Sequence, residues 1–342
     1  MRAFRAAMAG AVAAVVTAAA GCGGGLETAS PRTAPLRVGF AYDIGGRGDR
    51  SYNDMAAAGL DEAKRNLGNV RTREEEGVPG ESAAAKERRL RALAQAGYNP
   101  VIAVGDSYGQ PLAHVAPKFP AVRFAIVDSA TPSGPNVANL MFAEKQGAFL
   151  VGAAAALKSR TGEVGFVGGP RTPLVKRFEA GFVAGVRHVN PRVKIRIAYL
   201  SGKEDLRSFD RPEAAEEAAG KMYADGADVV FQVAGASGAG VFRAARKAGA
   251  WAIGCDFDQA VSADPAVRGV ILTSMLRRID VAVYDYLADV ADRTATSGRT
   301  VYDLKLGGVD YALTGGHITD IQPRLEQLKQ EIVHGRVKVS PG

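Results

Sequence analysis

The sequence predicts an α/β protein with two doubly wound, mostly parallel β-sheets. Short apolar segments enriched in β-branched residues alternate with segments of helical periodicity from residue 36 onward. Apolar strands separated by helices are typical of parallel sheets that helices cover on both faces. The chain has 342 residues, which is enough for two such lobes, and its series of strands and helices occurs twice.

Eight strands and eight helices are predicted in alternation, because apolar residues recur at strand or helix spacing. The predicted strands are Leu36–Ala41, Val101–Val104, Arg123–Val127, Val164–Val167, Ile195–Leu200, Val229–Val233, Ala250–Gly254 and Val270–Ser274. The predicted helices are Asn53–Asn66, Ser82–Ala96, Gly109–Lys118, Lys145–Lys158, Leu174–His188, Pro212–Ala224, Ala239–Ala248 and Ile279–Asp292.

The repeated series predicts two lobes of domain size. One series runs from Leu36 to about Asn139 and the other from Gly162 to about Asp256. The segment near Val270–Asp292 is expected to cross back to the first lobe. We therefore predict a first lobe of residues 36–140 plus about 260–310, and a second lobe of residues 141–259 plus about 311–335.

The first 22 residues differ from the rest of the chain. Arg2 and Arg5 precede an almost wholly apolar run over residues 6–20, which predicts a secretory signal and is short for a membrane-spanning helix. The small residues before Cys22 resemble a bacterial lipobox, in which the Cys is diacylated, although Ala19 stands where Leu is commoner. We predict a signal peptide at 1–21 and a flexible tether at 22–35. The alternative is an ordinary signal peptide cleaved elsewhere.

Charge and composition argue against several functions. The formal net charge is +7, but charges of both signs are interspersed, so no basic patch for nucleic acid is predicted. The four His residues lack metal-ligand spacing, and no phosphate-binding loop is present, so neither a metal nor a cofactor is expected. Cys255 ends an apolar strand and is expected to be a buried, inert thiol.

Polar and glycine-rich segments follow nearly every predicted strand, where ligands bind in doubly wound sheets. Asp carboxylates accept hydrogen bonds from adjacent hydroxyls, and two aromatic residues from opposite lobes would stack on both faces of a flat base. Core packing of the aromatic residues and turn formation or helix capping by Asp and Ser are the alternatives. The segments are Asp43–Asp54 with Tyr52, Gly105–Gly109, Asp128–Ser129, Gly168–Gly169, Ser208–Asp210 with Phe209, Ala234–Gly238 and Asp256–Gln259.

One pattern fits an enzyme. Residues 105–109 match the G-x-S-x-G motif of a nucleophile elbow, and Asp256 and His317 follow Ser107 in the order of a hydrolase triad. The motif is short, and no upstream glycine run supplies an oxyanion hole. A serine hydrolase therefore stays a rival hypothesis to a binding protein.

Asp43 and the segment Asp49–Asp54 resemble the opening signature of the basic membrane protein family of bacterial lipoproteins, whose relatives include purine nucleoside receptors of ABC-type uptake systems. This resemblance covers nearly all of residues 36–320. It implies a two-lobed type I periplasmic-binding fold with three crossovers and hinge closure. It continues through Val104-Gly105, Ile126–Asp128, Gly165–Gly169, Ser208–Asp210, Gly226–Val230, Ala234-Gly235, Gly254–Gln259 and Thr273-Ser274.

The resemblance also implies a role for individual residues. Asp43 and Asn53 would contact the base. Tyr52, which stands where Phe is usual, would stack on one face of the base, and Phe209 would stack on the other. Asp128 and Asp256 would hold ligand hydroxyls, and Gly235 would allow the backbone to approach the sugar. Arg277 replaces the usual Lys, which keeps the charge but substitutes a planar fork for a point donor.

The expected function is binding without chemistry. A ligand that bridges the lobes would stabilise the closed form, which a transport permease and its ATPase would recognise, as the resemblance implies. The protein is thus expected to be lipid-anchored on the extracytoplasmic face of the cell membrane. A ligand sensor of the same fold with a regulatory partner is the second hypothesis.

Overall fold

The computed structural model describes residues 35–49, 52–202 and 205–339. The predicted signal peptide, Cys22 and the tether up to residue 34 lie outside the described residues. The strands are β1 Leu36–Ile44, β2 Val70–Gly77, β3 Val101–Val104, β4 Phe124–Val127, β5 Val137–Phe142, β6 Glu163–Pro170, β7 Lys194–Ser201, β8 Val229–Val233, β9 Trp251–Asp256, β10 Ile271–Arg277, β11 Gly298–Tyr302 and β12 Val309–Tyr311.

Helices fill most of the connections between these strands. They are α1 Tyr52–Asn66, α2 Ala83–Gln95, α3 Gly109–Val115, α4 Glu144–Lys158, α5 Pro173–Val189, α6 Pro212–Ala224, α7 Gly238–Ala248, α8 Gln259–Ser262, α9 Pro265–Arg268, α10 Ile279–Ala291 and α11 Gln322–Val333. Short 3-10 turns at Asp106–Tyr108, Leu206–Asp210 and Gly235–Ser237 come after β3, β7 and β8.

Two six-stranded sheets confirm the predicted α/β fold. The first has the order β11-β5-β4-β3-β1-β2 and is parallel throughout. The second has the order β12-β10-β9-β8-β6-β7, and β12 alone is antiparallel to its neighbour. We call each sheet with its covering helices the first and the second lobe. Within the described residues the chain passes between the sheets three times: after β5, after β10 and between β11 and β12.

The cores lie on both faces of each sheet. On one face of β1, Val38, Phe40 and Tyr42 join the core cluster that contains residues of α1 and α10, whereas Ala41 faces a cluster with residues of α2 and α3. Small residues let neighbouring helices approach closely. A Cβ at Gly59 would lie 2.3 Å from the backbone oxygen of Asp280 in α10. The abundance of Ala and Gly in the sequence therefore serves tight helix packing.

The lobe boundary differs from the expected one. Strand β10 pairs with β9 and β12 in the second sheet, although the segment from about residue 260 was expected in the first lobe. The return to the first lobe starts with α10, which packs against α1, and β11 then pairs with β5. A short apolar strand fits either sheet equally well, so its composition alone does not assign it.

Candidate functional site

An ion-paired cluster at the carboxyl ends of the strands joins the two lobes. Arg277, the last residue of β10, donates from Nη1 to Asp128 Oδ2 at 2.6 Å and from Nε to Asp256 Oδ1 at 2.6 Å. Asp128 follows β4 of the first sheet, whereas Asp256 ends β9 of the second. The guanidinium suits this task because it presents its N–H donors in a rigid planar fork. One arginine thus connects carboxylates from both lobes.

This cluster is removed from solvent. Arg277 is 3% exposed, Asp128 is 4% exposed, and the Asp256 side chain is 14% exposed. Burial raises the pKa of the Asp128 carboxyl, and Arg277 opposes that shift. Burial by itself disfavours the charged guanidinium, but Asp128 and Asp256 together raise the pKa of Arg277 well above its ordinary value. The arginine is therefore a permanent cation, which balances the charge of one of the two carboxylates.

The backbone at both aspartates adopts a conformation that non-glycine residues rarely take. Asp128 has a φ of 66° and Asp256 a φ of 69°, and among the described non-glycine residues Arg293 is the one other with positive φ. Left-handed residues of this kind are uncommon and concentrate at ligand-binding and active sites. The conformation thus marks the same two positions that Arg277 joins.

Three aromatic rings surround the Arg277 guanidinium. Its central carbon lies 5.1 Å from the ring centroid of Tyr52, 5.3 Å from that of Phe178 and 5.9 Å from that of Phe142. Cations are attracted to aromatic rings at such distances. Sequence analysis did not identify Phe142 or Phe178. Phe142 ends a strand that was not predicted, and Phe178 lies inside α5, where its spacing indicates core packing.

Asp43 lies near the end of β1 and is held by several donors. Its Oδ1 accepts hydrogen bonds from the Ile44 amide at 2.9 Å and the Ser107 hydroxyl at 3.0 Å, and the Lys86 ammonium lies 3.4 Å away. Lys86 is itself buried and also donates to the Ser107 hydroxyl. A Cβ at Gly105 would lie 2.2 Å from Asp43 Oδ2, so only glycine leaves room for this carboxylate. Asp43 is therefore fixed in one orientation.

Asn53 fastens the loop between β1 and α1. Its side chain accepts a hydrogen bond from the Asp43 amide at 3.0 Å and donates to the Ile44 carbonyl at 3.2 Å and to Asp49 Oδ2 at 3.0 Å. Asp49 in turn accepts from the backbone amides of Asn53 and Asp54, which caps the start of α1. A contact between Asn53 and a ligand base stays a prediction, and the capping interpretation holds for Asp49.

Phe209 projects from the short 3-10 turn that follows β7. Its partly exposed ring packs on two glycines. A Cβ added to Gly169 would lie 2.8 Å from Phe209 Cδ1, and a Cβ added to Gly235 would lie 3.3 Å from Phe209 Cβ. Ser237 does not cap α7 but donates to the Ser208 carbonyl at 2.8 Å, which ties the turn to the next loop. Gly235 thus makes room for Phe209, and its approach to a sugar stays a prediction.

The three residues of the rival hydrolase triad are not assembled. Ser107 donates to Asp43, and the His317 ring lies 4.7 Å from that of Trp251. Trp251 and Asp256 occupy opposite ends of β9, roughly 16 Å apart at about 3.3 Å per residue. His317 therefore lies at the wrong end of the second sheet to act with Asp256.

Two searches for other kinds of site cover residues 35–49, 52–202 and 205–339. No three His, Cys, Asp or Glu side chains there are grouped to hold a metal ion, and no helix there is long and apolar enough to cross a bilayer. Cys255 is a buried free thiol, and burial raises its pKa. A thiol of this kind is a poor nucleophile.

The chain matches a family model and several curated proteins. Residues 37–340 match the model described as "ABC transporter substrate-binding protein PnrA-like". The "CD4+ T-cell-stimulating antigen" of Listeria monocytogenes is 32% identical over 88% of this chain and 87% of its own length. The "ABC transporter nucleoside-binding protein BmpA" of Lactococcus lactis is 30% identical over 89% of each chain.

A comparison with solved structures also finds an ABC transporter solute-binding protein. The crystal structure of an ABC transporter solute-binding protein from Aeropyrum pernix superposes with a TM-score of 0.76 at 30% identity. The match covers 90% of this chain and 94% of that protein. The similarity therefore spans both lobes and the cluster between them.

Proposed function

Since the chain belongs to the PnrA-like family of ABC transporter substrate-binding proteins, we propose that it captures a purine nucleoside between its two lobes and delivers it to an ABC-type importer. The protein acts as a receptor without chemistry. Its anchor is a lipid on Cys22, which holds it at the extracytoplasmic face of the cell membrane. The nucleoside-binding relative from Lactococcus lactis supports this choice of ligand.

The observation that carries the proposal is the cluster of Asp128, Asp256 and Arg277. Two carboxylates and a guanidinium at the carboxyl ends of strands can bond several hydroxyl groups of one sugar. An anionic ligand does not suit the cluster, because its single guanidinium balances only one of the two carboxylate charges. A free phosphate would place a further anion beside two buried carboxylates.

Aromatic side chains supply the surface for the base. Tyr52 belongs to the first lobe and Phe209 to the second, and both rings are partly buried against the core. Stacking on an aromatic side chain contributes about 1–3 kcal/mol per base. A ligand held by Tyr52 and Phe209 at once stabilises the closed form, because the open form offers only one of the two contacts.

Calorimetric titration tests the proposal. The purified protein is unfolded and refolded to remove bound ligand, then titrated with adenosine, guanosine, inosine, cytidine, uridine and ribose. We expect one-to-one binding of a purine nucleoside that weakens sharply in Asp256→Ala. Asp310→Ala is the matched control, since it also removes an ion-paired carboxylate, here the partner of Lys329 at 2.6 Å. If the refolded protein shows no heat of binding with any of these compounds, the proposal is contradicted.

The lipid anchor has its own test. Cells that express the protein are fed a fatty-acid analogue that can be tagged, and the protein is isolated and examined for label. We expect label in the wild type and in Cys255→Ala, and none in Cys22→Ala. These are the two cysteines of the chain, so the pair of variants separates the sites. An unlabelled wild-type protein would contradict the anchor and leave ligand binding untouched.

A further inference from the structure

Two buried polar atoms beside Arg277 lack a hydrogen-bond partner among the described residues. They are the hydroxyl oxygen of Tyr52 and Oδ1 of Asp128. Asp128 uses its other oxygen, Oδ2, for the bond to Arg277. Buried polar groups are nearly always paired, and leaving one unpaired is unfavourable. Two such atoms at one place indicate that a group from outside the chain completes the site.

Both groups lie against Arg277: its Nη1 donates to Asp128 Oδ2 at 2.6 Å, and its guanidinium carbon lies 5.1 Å from the Tyr52 ring centroid. Burial raises the pKa of both groups; Asp128 raises that of the Tyr52 hydroxyl further, whereas Tyr52 opposes the rise at Asp128. Even so, the two groups do not form a well-aligned hydrogen bond with each other. One hydrogen-bond donor, the Tyr52 O–H, and one acceptor, Asp128 Oδ1, therefore each need a partner at the same place.

The hydrogen-bonding capacities of the Tyr52 hydroxyl and Asp128 Oδ1 indicate which chemical group can pair with both. A carboxylate oxygen only accepts hydrogen bonds, and the buried phenol has a proton to donate. A ligand hydroxyl satisfies both, since it accepts from Tyr52 and donates to Asp128. A carbonyl or ether oxygen would accept from Tyr52 but leave Asp128 unpaired.

We propose that the Tyr52 hydroxyl is a specificity-determining group, which donates to a ligand hydroxyl whose own proton is donated to Asp128 Oδ1. Tyr52 thus selects a hydroxyl-bearing ligand in addition to any stacking by its ring. The inference rests on the proposed function, in which that hydroxyl belongs to the sugar of a nucleoside. It implies that the protein distinguishes a ribonucleoside from one of its deoxy analogues.

The test compares Tyr52→Phe with the wild type. Each protein is titrated with guanosine and adenosine and with their 2′-deoxy and 3′-deoxy analogues. Loss of one hydrogen bond should weaken binding of the ribonucleoside by about 3- to 10-fold. The affinity for the analogue that lacks the contacted hydroxyl should not change between the two proteins. The preference for the ribonucleoside over that analogue therefore falls in Tyr52→Phe.

Tyr223→Phe is the matched control. The Tyr223 hydroxyl is also buried, but it donates to the Trp251 carbonyl at 2.8 Å. We expect Tyr223→Phe to lower the urea midpoint of the ligand-free protein and to leave all affinities unchanged. Tyr52→Phe should leave the ligand-free midpoint unchanged or raise it, because it removes an unpaired buried hydroxyl.

Three results would overturn the inference. The first is that Tyr52→Phe loses the same affinity for ribonucleosides as for both deoxy analogues, which would assign the effect to the aromatic ring or to the fold. The second is a lower midpoint of ligand-free Tyr52→Phe, which would show that the hydroxyl bonds within the protein. The third is unchanged affinity of Tyr52→Phe for a ribonucleoside that the wild type binds. A wild type that binds no nucleoside at all removes the proposed function itself.

Discussion

Replacement of Arg277 by Met is expected to destabilise the protein strongly at neutral pH. The change keeps a long, unbranched side chain but leaves Asp128 and Asp256 without the cation they share. Arg277 is 3% exposed and makes a 2.6 Å bond to each carboxylate. Removing one partner of a buried ion pair costs about 3–5 kcal/mol, because the remaining charge stays poorly solvated. We expect a loss of that size in the free energy of unfolding at pH 7.

The loss should depend on pH. Burial raises the pKa of the Asp128 carboxyl and Arg277 opposes the shift, so without Arg277 this pKa lies further above the unfolded value of about 3.9. A carboxyl with a raised pKa binds its proton more tightly in the folded state. Its contribution is therefore present at low pH and is lost as the pH rises through the folded-state pKa. The loss of unfolding free energy in Arg277→Met should thus be smaller at pH 5 than at pH 7.

Urea unfolding followed by far-ultraviolet circular dichroism measures this directly at both pH values. Arg243→Met is the matched control: the Arg243 side chain is 39% exposed and pairs with Glu216 at 2.5 Å. An exposed pair of this kind contributes at most about 1 kcal/mol. The reasoning is refuted if Arg277→Met costs no more than the control, or if its cost is the same at pH 5 and pH 7.

Three further predictions concern the walls of the site. Gly105→Ala should lower the urea midpoint more than Gly48→Ala, because both have positive φ but only the Gly105 Cβ would contact Asp43; equal shifts would contradict this. Lys86→Met should weaken nucleoside binding in calorimetric titration, since Lys86 helps to fix Asp43, whereas Lys86→Arg should retain most of the affinity; an unaffected Met variant would exclude such a role. Phe209→Ala should cost about 1–3 kcal/mol of binding free energy, and unaltered affinity would exclude stacking on this ring.

The sequence predicts most of the central strands, and it predicts β3 and β8 with their ends. The bounds of β3 and β8 are those expected, because these strands are short, almost wholly apolar and buried on both faces. In parallel sheets the carboxyl ends of such strands share one edge. Placing Asp128 and Asp256 just after predicted strands therefore puts each of them at the carboxyl edge of its own sheet.

The edge strands β2 and β12 escaped prediction for a physical reason. Strand β2 pairs with β1 alone and carries a run of charged residues, so neither apolar composition nor alternation marks it. Its Glu74 instead joins an ion-pair network with Arg47 and Lys64 at the edge of the sheet. Strand β12 has three residues and is too short for any periodicity to show.

Contacts between distant parts of the chain also escaped prediction. Lys86 lies in a helix rich in charged residues, where a lysine usually faces solvent, and its burial against Ser107 depends on tertiary packing. The carboxylates of Asp128 and Asp256 were expected to face ligand directly. Their shared bond to Arg277 depends on how the second sheet meets the first, which no local pattern encodes.

The most direct test of the account is hydrogen–deuterium exchange of the protein with and without guanosine. A ligand clamped between the lobes should slow amide exchange in both walls of the site. The first wall is the loop between β1 and α1 with the segment after β4. The second is the turn at Leu206–Asp210 with the turn at Gly235–Ser237. Slower exchange in both walls is the predicted result. No change on saturation with guanosine, or protection confined to one lobe, would contradict a nucleoside receptor that binds its ligand across the two sheets.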